Sequence, residues 1–167
     1  FTDETTLQVA YAHNVILASG GIGSIYKYHT NSPAVAGEVQ GICLEKGINL
    51  KDMEMMQFHP TVLKGTHFAR KPLLSEALRG EGAYVVDEDD YRFLFEYHKD
   101  GELAPRDVVS RAIFDYNLKT KKSVYLSFET FDKKFFKKRF PNIYANIKDL
   151  GYDLPFEKVP ISPAFHY

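Results

Sequence analysis

The stretch "ELAPRDVVSRAI", residues 102–113, reads as a helix that opens on a proline and sets Arg106 in its first turn. The N-terminal end of a helix carries the positive pole of its dipole, so acidic groups are favoured there and cations at the far end. Asp107 offsets part of that conflict without explaining why a guanidinium stands at such a place. A cation held against a like pole has its pKa pulled down, which suits proton donation; failing that, it can stabilise negative charge developing in a transition state. Three further segments carry groups of related chemistry. "QFHPT" sets His59 just before Pro60, where regular strand pairing is expected to stop. "LLSEALRGEGA" places Ser75 beside Glu76 with Arg79 three residues on, so a helix there would put Glu76 and Arg79 on one face. "PAFHY" brings His166 after a proline-broken run. Taken singly, each has an ordinary reading: a capped or core histidine, a surface ion pair worth only ~0.3–0.5 kcal/mol, a loop histidine.

The elements that must position these groups can be read from periodicity. "TLQVAYA" and "NVILA" predict strands, the second running into the glycine turn "SGGIGS". That turn resembles part of a dinucleotide fingerprint without its third glycine, and it serves equally as a plain tight turn. In "NSPAVAGEVQGICLEKG", Ser32 is the expected N-cap, Pro33 the first helical residue and Gly47 the C-cap. Val35, Val39, Ile42 and Cys43 would form the apolar stripe. "MEMMQFHPTVL" is strand-like up to Pro60, and "AYVVDEDDYRFLF" predicts a hairpin with an acidic turn. After Pro105, the residues Val108, Val109, Ala112, Ile113 and Tyr116 share a helical face. "VYLSF" is a further strand. In "FDKKFFKKRF", Phe131, Phe135 and Phe136 lie on one side and lysines on the other, and "NIYANIKDLG" closes on Gly151.

Composition narrows the function. The chain has 167 residues, 44% of them hydrophobic, enough for one domain or slightly more with a true core. A formal net charge of −1 offers no pull toward nucleic acid or an anionic membrane. No apolar run approaches the ~20 residues of a membrane span. The six histidines lack metal-ligand spacing and Cys43 stands alone, so no metal site is expected and a reducing, cytoplasmic setting is. The lysine-rich aromatic stretch reads as a solvated face over a core stripe. The opening "FTDETT" and closing "PAFHY" suggest a piece of a longer protein.

Five motifs, "ILASGGIGSIYKYHTN", "MQFHPT", "LLSEALRGEGAYVVD", "ELAPRDVVSRAI" and "VPISPAFHY", resemble in order and spacing the succinate dehydrogenase/fumarate reductase flavoprotein family. The forms "ALRGEGA" and "LAPRD" resemble its L-aspartate-oxidising branch; respiratory succinate dehydrogenases tend to show a Cys-Arg pair and "LASRD" instead. The resemblance implies an α+β fold, with residues 53–160 as a capping domain that closes over substrate. Residues 1–52 would be a strand-turn-helix piece ending the first FAD-binding segment, and 161–167 would return toward the FAD-binding domain. It implies FAD in the full-length protein but none held by this chain alone, since the family's amino-terminal GxGxxG and a carboxy-terminal substrate arginine have no counterpart here.

By the same resemblance, His59, Ser75, Glu76 and His166 hold a dicarboxylate (L-aspartate, fumarate or succinate), Ser75 standing where threonine is usual. Arg106 matches the catalytic arginine, and Glu76 with Arg79 resembles a proton relay. Ser19, Gly20 and Gly21 match a turn close to FAD. Glu38 stands where the family usually has Asp in a Gly-Asp-Gly contact to the cofactor, with Val39 replacing the second glycine. The implied reaction oxidises L-aspartate to iminoaspartate for NAD biosynthesis, with electrons going to oxygen or fumarate and hand-off to a quinolinate synthase as an implied partnership. A membrane-complex flavoprotein subunit and a non-catalytic interaction domain are the rival readings.

Overall fold

The computed structural model describes residues 9–67 and 69–167. In chain order its regular elements are α1 (Glu38–Glu45), β1 (Phe58–Leu63), α2 (Glu76–Gly80), β2 (Tyr84–Asp87), α3 (Arg106–Thr120), β3 (Val124–Ser127), α4 (Lys133–Arg139), α5 (Pro141–Asp149) and β4 (Val159–Phe165). The four strands form one antiparallel sheet in the order β1-β4-β3-β2. This is a mixed α+β arrangement rather than a run of βαβ units.

Helix α3 forms as its periodicity predicts and packs on β1 and β4. Its Val109, Ala112, Ile113 and Tyr116 are buried, with Val108 at the margin. Leu126 and Phe128, Phe93 and Leu94, and Phe136 and Ile147 complete one continuous core. Asp132 caps α4 by accepting from the backbone N–H groups of Lys134 and Phe135. Its phenylalanines turn inward while the lysines stay in water.

Several expectations are corrected. The strand predicted at "NVILA" does not form: Val15, Ile16 and Leu17 are exposed, because no described strand lies beside them to satisfy their backbone groups. "TLQVAYA" falls partly outside the described residues, and its residues 9–12 show no strand. The first helix starts at Glu38, not Pro33. Residues 32–35 instead make a turn, and Gly37 enters the helix in the left-handed conformation. Of the predicted stripe Cys43 is buried while Ile42 faces solvent.

Pro60 does not end β1. The strand continues to Leu63 because it lies at the end of the sheet order and the ladder shifts register between His59 and Val62, where the missing N–H is not needed. The predicted hairpin at residues 83–95 is also absent. After β2 the Asp87 carboxylate accepts from the N–H groups of Asp89 and Tyr91, both at 2.9 Å, and turns the chain into a 3-10 helix, Phe93–Glu96. Phe93 and Leu94 then enter the core directly. The proline-broken carboxy-terminal run is a strand that changes partner, meeting β3 at Val159 and Pro160 and β1 from Ile161 to Phe165.

Candidate active site

Arg106 is the first residue of α3, and Pro105 before it supplies no side-chain cap. Asp107 does not answer its charge, since that carboxylate bonds Arg111 at 2.6 Å. The Arg106 guanidinium instead donates from Nε to Glu76 Oε2 at 2.5 Å and from Nη1 to Gln57 Oε1 at 2.9 Å. It is two-thirds covered, so it does not point into bulk water.

Glu76 arrives on α2, a helix of one turn whose N-cap is Ser75; the Ser75 Oγ accepts from the Ala77 N–H at 3.3 Å. The cap fixes which way this short helix faces. Glu76 projects to Arg106, and that hydrogen bond holds its carboxyl below the usual range. Arg79 turns the other way and is buried, so the pair does not form the surface hydrogen bond its spacing permits. Arg79 Nη1 donates to the Glu102 carbonyl, while Nε and Nη2 have no partner among the described residues. Burial lowers the pKa of Arg79; the charge of Glu76 opposes this, and Arg106 adds to it.

His59 lies on β1 with 1% of its surface exposed. Its Nδ1 accepts from the Thr61 N–H at 3.3 Å. Burial first, then His166, Arg106 and Arg79, bring its pKa down to about 3. His166 follows the end of β4, and the two imidazoles meet edge to face with centroids 5.2 Å apart. Burial and the Arg106 charge lower the pKa of His166 as well. His166 Nδ1 lies 2.6 Å from Thr30 Oγ1, and its carbonyl accepts from Asn31 Nδ2 at 2.9 Å.

His59, Glu76, Arg79, Arg106 and His166 therefore share one electrostatic neighbourhood, drawn from three elements and the end of a fourth. Ser75 joins it as the cap of α2, without a hydrogen bond to either imidazole. Both histidines are neutral near pH 7, and the fixed positive charge belongs to the arginines. Sequence reading missed Gln57, Thr30 and Asn31. Gln57 was within reach, since it stands two residues before His59 and extended backbone puts such residues on one face.

The glycine turn lies along a separate wall. Gly20 adopts φ +83°, and its carbonyl accepts from Gln40 Nε2 at 2.6 Å. A side chain built at Gly21 would meet nothing within 4 Å, so bare backbone faces open space. A cleft of about 180 Å³ beside it is lined by Gly20, Gly21, Gln40, Met55, Phe165 and Tyr167. Ser19 borders an adjoining hollow with Gly20 and Gln40. Glu38 is exposed in the first turn of α1. Among the described residues, no three metal-ligating side chains gather, and no helix is long and apolar enough to cross a membrane.

The sequence profile of the FAD binding domain matches residues 2–167, and the chain belongs to that family. It is 39% identical over 170 residues to an L-aspartate oxidase of Synechocystis, covering 97% of this chain and 30% of that protein. To an L-aspartate oxidase of Bacillus subtilis it is 40% identical over 163 residues, covering 96% and 30%. E. coli quinol fumarate reductase superposes with a TM-score of 0.81 at 34% identity, over 90% of this chain and 28% of that one. The chain thus spans about 30% of the length of the curated relatives it matches.

Proposed function

We propose that this chain is the substrate-closing part of an FAD-dependent L-aspartate oxidase, a longer enzyme that converts L-aspartate to iminoaspartate. Residues 53–160 form the cap, 161–167 return toward the cofactor, and 1–52 end the first FAD-binding segment. The observation that carries this reading is the contact of Arg106 with Glu76 and Gln57 beside the His59–His166 pair. Those groups come from sequence-distant segments, and an isolated surface ion pair gives no reason for setting one buried and one half-buried neutral imidazole beside two guanidinia.

Ser19, Gly20 and Gly21 fit a cofactor by their open backbone, with Glu38 as the acidic contact. FAD, when bound, supplies the two-electron acceptor. The chain's own residues grip and orient the acid. Because His59 Nδ1 is occupied by the Thr61 N–H, the proton of the neutral ring sits on Nε2, which donates to a substrate carboxylate. His166 donates in the same way. Ser75 accepts at its oxygen as the helix cap, so its own proton stays free to bond the substrate. Fixing both carboxylates aligns the Cα–H bond for transfer.

Arg106 supplies positive charge where negative charge develops, held in aim by Glu76 and Gln57. In the fumarate-reducing direction the same guanidinium is placed to hand a proton to carbon, and Glu76, bonded to its Nε, is placed to return one; Arg79, which makes no hydrogen bond to Glu76, acts on that carboxyl through its charge alone. Electrons pass to oxygen or fumarate, and iminoaspartate passes to a quinolinate synthase, in the cytoplasm.

The test is Arg106→Lys in the full-length enzyme, followed by hydrogen peroxide formation from L-aspartate. Turnover falls about 100-fold or more while KM changes little, because a lysine cannot keep both contacts and the charge distribution. A rise in KM with turnover intact would make Arg106 a binding residue and overturn the assignment. The likeness to E. coli quinol fumarate reductase favours one second reading, a flavoprotein subunit acting on succinate or fumarate. Succinate oxidation outpacing L-aspartate oxidation, with a histidine covalently linked to FAD, would select it.

A further inference from the structure

The segment from Tyr26 to Asn31 leaves the glycine turn and runs against the end of β4. The Tyr26 ring stacks on Phe165 with centroids 4.0 Å apart. The Phe165 N–H donates to the Tyr28 carbonyl at 3.3 Å, and the Thr30 N–H donates to the Phe165 carbonyl at 3.0 Å. On its other side the His29 N–H donates to Ala69 and its carbonyl accepts from Lys71. Thr30 therefore has a fixed backbone before its side chain makes any contact, and that side chain meets His166 Nδ1 at 2.6 Å.

Asn31 adds a second tie to the same residue through the His166 carbonyl. It reaches that carbonyl only because position 23 is glycine: a Cβ there would stand 2.0 Å from Asn31 Nδ2. Two successive side chains of one short segment thus hold both the ring and the backbone of His166.

We infer that Thr30 is a positioning residue for the dicarboxylate site, its hydroxyl donating to His166 Nδ1 and so leaving Nε2–H as the donor that the substrate carboxylate meets. The inference rests on the reading of His166 as a substrate-holding group. A neutral imidazole has one donor and one acceptor nitrogen, and the partner of the first decides the role of the second. Thr30 Oγ1 makes no other hydrogen bond among the described residues, so its proton is free to go to the ring. His166 is neutral near pH 7, since burial and the Arg106 charge both disfavour its protonation. Without the hydroxyl, Nδ1 loses its partner, the ring samples the other tautomer, and the Nε2 that faces the substrate then lacks the proton it must donate. Because Thr30 descends directly from the glycine turn, the same segment sets the distance between cofactor wall and substrate grip.

The experiment uses the full-length, FAD-loaded enzyme, with L-aspartate as substrate and succinate as a competitive probe. Thr30→Val keeps the shape of the side chain and removes the hydroxyl; Thr30→Ala runs alongside in case valine packs poorly. Both raise KM and the succinate inhibition constant about five- to tenfold, the effect of one lost hydrogen bond, and leave turnover at saturation within about twofold. Thr30→Ser restores wild-type values. Combined with His166→Ala, Thr30→Val adds nothing, since the hydroxyl acts through that ring. Wild-type binding by the Val and Ala variants, or penalties that add fully in the double variant, would overturn the positioning role while leaving the site intact. If His166→Ala alone leaves succinate binding unchanged, the substrate role of His166 fails, and the inference built on it fails too.

Discussion

His59 shows how far residue type constrains chemistry and where it stops. Its burial follows from its place on β1 beneath α3, and a pKa of about 3 keeps it uncharged throughout the physiological range. On the proposed function it donates from Nε2, so it imposes no pH dependence on substrate binding near neutrality. It does impose one on stability. The folded-state pKa lies below the unfolded value of 6.5, so unfolding takes up a proton at any pH between the two. The contribution is fully present above pH 6.5 and declines as pH falls toward 3. Glu76, itself held low, gives up its contribution only below the ordinary carboxyl value of 4.5, so the interval from 6.5 to 4.5 belongs to the histidines. His59→Gln flattens the slope of unfolding free energy against pH in that interval, leaving the part due to His166. Urea titrations at several pH values check this, and an unchanged slope would mean that His59 is not buried as a neutral ring. That Arg106 sits at a helix start was legible from Pro105 and the periodicity after it. That Asp107 turns to Arg111 was not, because an i,i+4 pair and a local neutralisation look alike in sequence.

Short elements were the least legible, since their orientation depends on what they pack against. Helix α2 has five residues, too few for a propensity or a moment to decide which face turns inward. Packing sends Arg79 in and Glu76 out, although their spacing suggests partners. The predicted hairpin failed for a related reason. Asp87 has backbone N–H groups, the Tyr116 hydroxyl at 2.7 Å and Lys122 Nζ at 3.0 Å all bonded to its carboxylate. Burial alone would raise its pKa, yet these bonds hold it at about 2. A side chain satisfied by the chain that follows it ends the strand and leaves no ladder for a return strand. Helix α3 was legible because fifteen residues carry one apolar face. The same logic makes Ser75 separable into two roles. Ser75→Ala removes the cap, costing about 0.5–1 kcal/mol of unfolding free energy, and raises the succinate inhibition constant severalfold. Ser75→Thr keeps both. Inhibition by succinate that is unchanged in Ser75→Ala would leave it a helix cap only.

Over the whole molecule, apolar surface is distributed unevenly between the two parts. Core residues cluster from Leu63 to Ile161, around the sheet and α3. Before β1 the pattern reverses: Tyr11, Val15, Ile16 and Leu17 are 97, 75, 90 and 60% exposed, and Met55 is 73% exposed. Runs such as "NVILA" read as a buried strand by composition, and nothing among the described residues buries them. Apolar side chains in that density are stable in water only when another surface covers them. On the proposed function that cover is the rest of the FAD-binding domain, whose strands would pair with residues 14–18 and whose cofactor would rest on the open backbone at Gly21. Two consequences separate this account from a chain that is complete in itself. Purified alone, the 167-residue chain is colourless; an isolated chain that retains flavin would move the domain boundary and overturn the proposed division. Limited proteolysis cuts it early within residues 9–19, where no described strand protects the backbone, while the segment from β1 to β4 persists. In the full-length enzyme the same sites resist cleavage, and more so with FAD bound, since binding adds to the free energy of the opening that exposes them. Equal cleavage of residues 9–19 in both proteins would mean that nothing packs there, and the cofactor wall would have to be sought elsewhere in the molecule.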